Sequence, residues 1–107
     1  MSKIEFENGG EQYTLEFDRR SVEVAERTYG MSLPDLLNGK MSYMPQLFQA
    51  AFLKHHPKIK PSKVNELFVA MVDKDELYQA LTAMYAETVS TLLDEPEEGK
   101  GQSWKVV

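Results

Sequence analysis

The segment from Lys74 to Leu93 constrains the fold of this chain most strongly. Successive residues of an α-helix lie about 100° apart around the axis. On that spacing Met84, Leu77, Thr88, Leu81, Leu92, Tyr85, Tyr78, Val89 and Leu93 spread over about half of the circumference. A helix lying on a protein surface needs an apolar stripe only roughly 100° wide. A face this broad needs cover on two sides, so 74–93 is expected to be the central helix, packed by the other helices and a hairpin. The alternative is that part of its second flank, Tyr78, Tyr85, Val89 and Leu93, receives a partner. Asp73-Lys74-Asp75-Glu76 has the spacing of a capping box, with Asp73 in the cap position.

The cover for that helix can be read upstream. Over 3–17, Ile4 and Phe6 alternate with polar residues, Asn8-Gly9-Gly10 supplies a turn, and Tyr13, Leu15 and Phe17 alternate again, which predicts a β-hairpin. A two-residue Asn8-Gly9 turn sets Phe6 opposite Glu11. A four-residue loop over 8–11 sets Phe6 opposite Tyr13 and Ile4 opposite Leu15, the better cross-strand pairs. Asp18 then caps a helix carrying Val22, Ala25 and Tyr29, which Gly30 stops. Ser32-Leu33-Pro34-Asp35 starts a short helix with Leu36 and Leu37 inward, ended by Asn38-Gly39. Ser42 is expected to cap a third helix reaching about His56, with the stripe Met44, Leu47, Phe48, Ala51, Phe52, and Pro57 closes it. Ser62 is expected to start a fourth, with Val64, Leu67, Phe68, Met71 and Val72 on one face. The fold class expected is α+β and mostly helical, an N-terminal β-hairpin packed on about five α-helices. Residues 1–93 are expected to form a single globular domain, hairpin over 3–17 and helical over 18–93. Residues 94–107 are expected to be a flexible acidic tail. In that tail Trp104 and Val106 alternate, as an added third strand or as a docking element for another protein.

One domain is the expectation for 107 residues, and the net charge of −5 argues against a nucleic-acid partner. No apolar run approaches the ~20 residues of a membrane span, and the alternating N-terminus does not read as a signal peptide. With no cysteine, neither a disulfide nor a thiolate metal site can form. Together these lead to the expectation of an intracellular soluble protein. Both histidines stand in Lys54-His55-His56-Pro57-Lys58-Ile59-Lys60-Pro61. Neighbouring histidines on a helix diverge by about 100° and do not face one ion together. His55 is expected to pack at the end of the apolar stripe and His56 to face solvent, with no metal bound. Lys54, Lys58, Lys60 and Lys63 crowd this junction, as a solvated corner or as a dock for an acidic partner surface. The six methionines serve as core filler or as an adaptable binding surface. No phosphate loop, GxSxG or HExxH run is present, so neither catalysis nor a cofactor is expected. The candidate partner-binding residues are Tyr78, Tyr85, Val89, Leu93, Trp104, Lys54 and Lys58.

Four runs of this sequence carry a resemblance: Tyr13-Thr14-Leu15-Glu16-Phe17, Ser21-Val22-Glu23, Pro45 to His56, and Leu92-Leu93-Asp94-Glu95-Pro96. Together they resemble the small tail assembly chaperones of long-tailed bacteriophages, from the hairpin to about Pro96. The resemblance implies a mostly helical protein, with a small β element first as in many members. It implies a chaperone that binds the tape measure protein, keeps it soluble and helps recruit tail tube protein. Self-association is possible; a nucleic-acid or membrane partner is not expected. The implied place is the cytoplasm of the bacterial host, not the mature virion, and some relatives are also made in a frameshifted longer form. The resemblance assigns a binding role to no particular residue. Binding to the tape is expected to be helix-in-groove and multivalent. The competing class is a small DNA-binding or regulatory protein with a helix-turn-helix-like pair at 62–93. Acidic charge and the apolar character of the second helix argue against it.

Overall fold

The structure, a computed structural model, describes residues 2–107. Strands β1 (Ile4–Asn8) and β2 (Glu11–Leu15) precede helices α1 (Arg19–Tyr29), α2 (Leu33–Leu37), α3 (Met44–Ala50), α4 (Pro61–Ala70) and α5 (Lys74–Ser90). Short 3₁₀ turns at Met41–Tyr43 and Thr91–Leu93 lead into α3 and out of α5. The architecture is α+β, a two-stranded antiparallel hairpin followed by five α-helices.

The hairpin pairs Ile4 with Leu15 and Phe6 with Tyr13, the register that alternation favours. Its turn is tighter than the expected four-residue loop. Asn8 pairs with Glu11, leaving Gly9-Gly10 as a two-residue turn with φ of 60° and 84°. Positive φ at both central positions matches the right-handed twist of the strands, and glycine reaches it without a Cβ clash. Phe6 and Tyr13 stack at 5.2 Å between ring centroids.

α1 begins as expected. The Asp18 carboxylate accepts from the Ser21 N–H and the Ser21 hydroxyl accepts from the Asp18 N–H, both at 2.8 Å, and Gly30 ends the helix at φ 66°. Several other expectations are corrected. Leu36 is buried but Leu37 is 64% exposed, because a five-residue helix has room for one inward leucine. Ser42 caps nothing; it lies within the 3₁₀ turn before α3. α3 stops at Ala50 because the Ala51 carbonyl is taken by the Glu16 N–H at 3.0 Å, and tight turns carry the chain on to His55. α4 starts at Pro61, one residue before Ser62, where proline has no N–H to leave unpaired. It ends at Ala70, so Val72 falls off its apolar face and is 78% exposed. Asp73 makes no side-chain cap; it adopts a left-handed φ of 52°. The Lys74 ammonium instead donates to the Val69 and Met71 carbonyls, at 3.2 and 2.6 Å, closing the α4–α5 turn.

α5 is the central helix, as its broad apolar face predicts. It packs on α1, α2 and α3, and Leu81 and Tyr85 are fully buried. Phe17, just past the hairpin, meets the Tyr85 ring edge-on at 5.3 Å. On the α3 side, Leu47, Phe48 and Phe52 join the same core. Residues 94–107 are exposed and irregular apart from a turn closed by the Lys100 N–H on the Glu97 carbonyl at 3.0 Å. The sheet stays two-stranded, so the tail does not add a third strand here.

Candidate functional site

The second flank of α5 divides into two parts. Tyr78 and Tyr85 are buried in the chain's own core, which corrects their candidacy as partner-binding residues. The Tyr78 hydroxyl donates to the Leu36 carbonyl at 2.6 Å and ties α5 to α2. The Tyr85 hydroxyl is buried without a partner among the described residues, and burial, with Glu26 nearby, pushes its pKa up to about 12. Towards the C-terminal end the flank opens. Val89 is half-buried, Leu92 is 54% exposed and Leu93 87% exposed. Here the Arg19 guanidinium donates to the Thr91 carbonyl at 3.0 Å, tying the 3₁₀ turn to α1. Leu92 borders a hollow of about 330 Å³ that α1 lines with Val22 and with the charged Arg19, Glu23, Glu26 and Arg27. Beyond it Trp104 and Val106 are exposed as well. The result is a short apolar edge, Val89 with Leu92 and Leu93, bordered by charged side chains of α1.

The Lys-His stretch forms a second feature, a strap across the free edge of β2. The backbone N–H groups of Thr14 and Glu16 point away from β1. The Glu16 N–H donates to the Ala51 carbonyl, and the Thr14 N–H donates to His56 Nε2 at 3.0 Å. The Glu16 carboxylate then accepts from Lys54 Nζ and pairs with His55 Nε2, each at 2.8 Å. The histidine roles are therefore the reverse of those expected. His56 packs on the Tyr13 and Phe52 rings, at 5.4 and 5.9 Å, while His55 is the more exposed. The reversal follows from α3 ending early, since the turns over 51–55 rotate the later side chains out of the helical phase. Accepting the Thr14 N–H requires a neutral His56 imidazole with its proton on Nδ1. Burial holds the His56 pKa below its ordinary value, His55 nearby adds to this, and Glu11 opposes it. The Lys54 hydrogen bond, then that of His55, lowers the Glu16 pKa.

Lys54 is exposed and pairs with Glu16 within the chain. Lys58 and Lys60 are exposed and make no ion pair among the described residues. With Lys63 they border an open groove of about 600 Å³ whose floor includes Tyr13, His56 and Ile59. At its rim the Tyr13 hydroxyl donates to Glu11 at 3.0 Å. Burial, then this hydrogen bond and the Glu11 charge, raise the Tyr13 pKa. Sequence reasoning found the lysine cluster but missed Glu16, Tyr13 and Ile59 as its neighbours. Those contacts join residues about forty positions apart, a pairing that periodicity within one segment does not reveal. Among the described residues, no three His, Asp or Glu side chains gather where a metal ion could be held. No helix among them is long and apolar enough to cross a membrane.

The fold and these surfaces define a small α+β domain whose accessible features are an apolar edge and a lysine-rimmed groove. Over residues 1–107 the chain matches the family model described as Domain of unknown function (DUF5055), and it belongs to that family. No curated protein and no solved structure matches it.

Proposed function

We propose that this protein is a non-catalytic chaperone of phage tail assembly. It works in the cytoplasm of the bacterial host, covers apolar helical segments of the tape measure protein, passes that protein to the tail tube subunits and leaves before the virion is complete. The observation that carries the proposal is the apolar edge. Leu92 and Leu93 stand exposed at the end of a helix whose remaining apolar face is core, so the docking surface is pre-organised. An amphipathic helix laid along Val89 and Leu92, beside α1, buries its own apolar stripe and leaves its polar face in water. The resemblance of four sequence runs to tail assembly chaperones is what favours the tape measure protein as the partner.

A DNA-binding role for the α4–α5 pair finds no support. The inward face of α5 is core, and its exposed side carries Asp75, Glu76 and Glu87, which repel phosphates. The test is co-expression of the phage's tape measure protein with and without this chain. A soluble co-purifying complex is expected; an equally insoluble tape measure protein in both cultures, with nothing co-purifying, rejects the proposal.

A further inference from the structure

We infer that the lysine-rimmed groove takes the acidic tail of a second copy of this chain, so that copies associate head to tail. Groove and tail are complementary. The groove offers Lys58, Lys60 and Lys63 around a floor of Tyr13, His56 and Ile59. Three lysines stand against the groove carboxylate Glu11 and the nearby Glu66, which pairs with Lys63 at 3.6 Å, so that Lys58 and Lys60 have no ion-pair partner among the described residues. The tail offers the opposite set. Asp94, Glu95, Glu97 and Glu98 come first, and then Trp104, which is 85% exposed. Glu97 is held by Lys100 at 3.0 Å across the turn, which leaves Asp94, Glu95 and Glu98 as unpaired carboxylates among the described residues. A tryptophan on the apolar floor with carboxylates among the rim lysines has the anatomy of a binding hot spot inside a charged rim.

The arrangement favours a second copy over the chain's own tail. The groove is lined by residues of β2, of the connection into α4 and of the start of α4, whereas the tail follows the turn after α5 and is exposed throughout. The tail does not fold back onto the groove: Trp104 is 85% exposed, and no residue of 94–107 lines the groove. A donor tail and an acceptor groove at different places on one surface make a heterologous contact, which builds chains or rings. This inference stands apart from the identity of the tape measure partner.

The chain's single tryptophan is the reporter. Purified full-length protein is diluted over a wide concentration range at low salt, with Trp104 emission and sedimentation recorded together. The expected result is a blue shift of the emission and a rise in average mass, both growing with concentration and weakened at high salt by screening. The double variant Lys58→Glu/Lys60→Glu changes two exposed side chains and weakens association by about tenfold or more, the scale of a lost steering rim. A second full-length variant, Glu95→Gln/Glu98→Gln/Trp104→Ala, loses association from the tail side. Mixed, the two variants form a one-to-one dimer and nothing larger, because one keeps the tail and the other the groove. Circular dichroism on each variant confirms folding. Any of three results overturns the inference: a monomer at every concentration, an emission shift independent of concentration, or association untouched by the lysine reversal.

Discussion

Replacing His56 with leucine tests the strap between the hairpin and the α3–α4 connection. Leucine keeps an apolar body against Tyr13 and Phe52 but offers no acceptor to the Thr14 N–H, now met by Nε2 at 3.0 Å. Thr14 and His56 are half-buried, so water reaches part of the orphaned donor and the cost falls near the low end, about 1 kcal/mol. Losing the ring contacts with Tyr13 and Phe52 adds about 0.5–1 kcal/mol. For a chain of this size the sum lowers the melting temperature by roughly 7–9 °C. The pH dependence has a definite sign. Burial puts the folded pKa of His56 below 6.5, so on acidification the unfolded chain takes up the proton first. The stability due to the neutral imidazole is complete above pH 6.5 and is lost as pH falls through the lower folded value. Thermal melts of wild type and His56→Leu between pH 8 and 5 should converge on the acid side. Equal stability at pH 8, or a gap that stays constant with pH, refutes the strap.

Three further outcomes are expected. Tyr85→Phe removes a buried hydroxyl that has no partner among the described residues, so the variant's unfolding free energy from urea titration should equal or exceed that of wild type, by up to about 1 kcal/mol; a loss of that size refutes the assignment. Glu16→Gln breaks the pairs with Lys54 and His55 and should cost about 1 kcal/mol at neutral pH and low salt. Because the Glu16 pKa is lowered from 4.5, that difference is present above pH 4.5 and disappears as pH falls through the folded value, which urea titrations across that range check. Leu92→Ser/Leu93→Ser should leave the melting curve within about 0.5 kcal/mol of wild type, since both side chains are exposed, while tape measure protein no longer co-purifies.

Much of the fold was legible because it rests on short-range periodicity. The hairpin register followed from pairing Phe6 with Tyr13, and the central place of α5 from the width of its apolar face. What stayed hidden depended on contacts between distant segments. The Glu16 N–H takes the Ala51 carbonyl and cuts α3 short, which exchanges the roles of His55 and His56. Lys74 closes the turn before α5 from its own side chain, and Asp73, in its left-handed conformation, is left without the expected cap. The candidate site was half legible. Leu93 and Trp104 remain on the surface, whereas Tyr78 and Tyr85, equally apolar in pattern, are consumed by the core. A helical wheel gives the width of a face but not which part of it the chain covers itself.

The most direct measurement is the fraction of tape measure protein left in the supernatant when it is co-produced with wild type or with Leu92→Lys/Leu93→Lys. The account predicts a soluble complex with wild type and a pelleted tape measure protein with the folded variant. Equal solubility in the two cultures contradicts it.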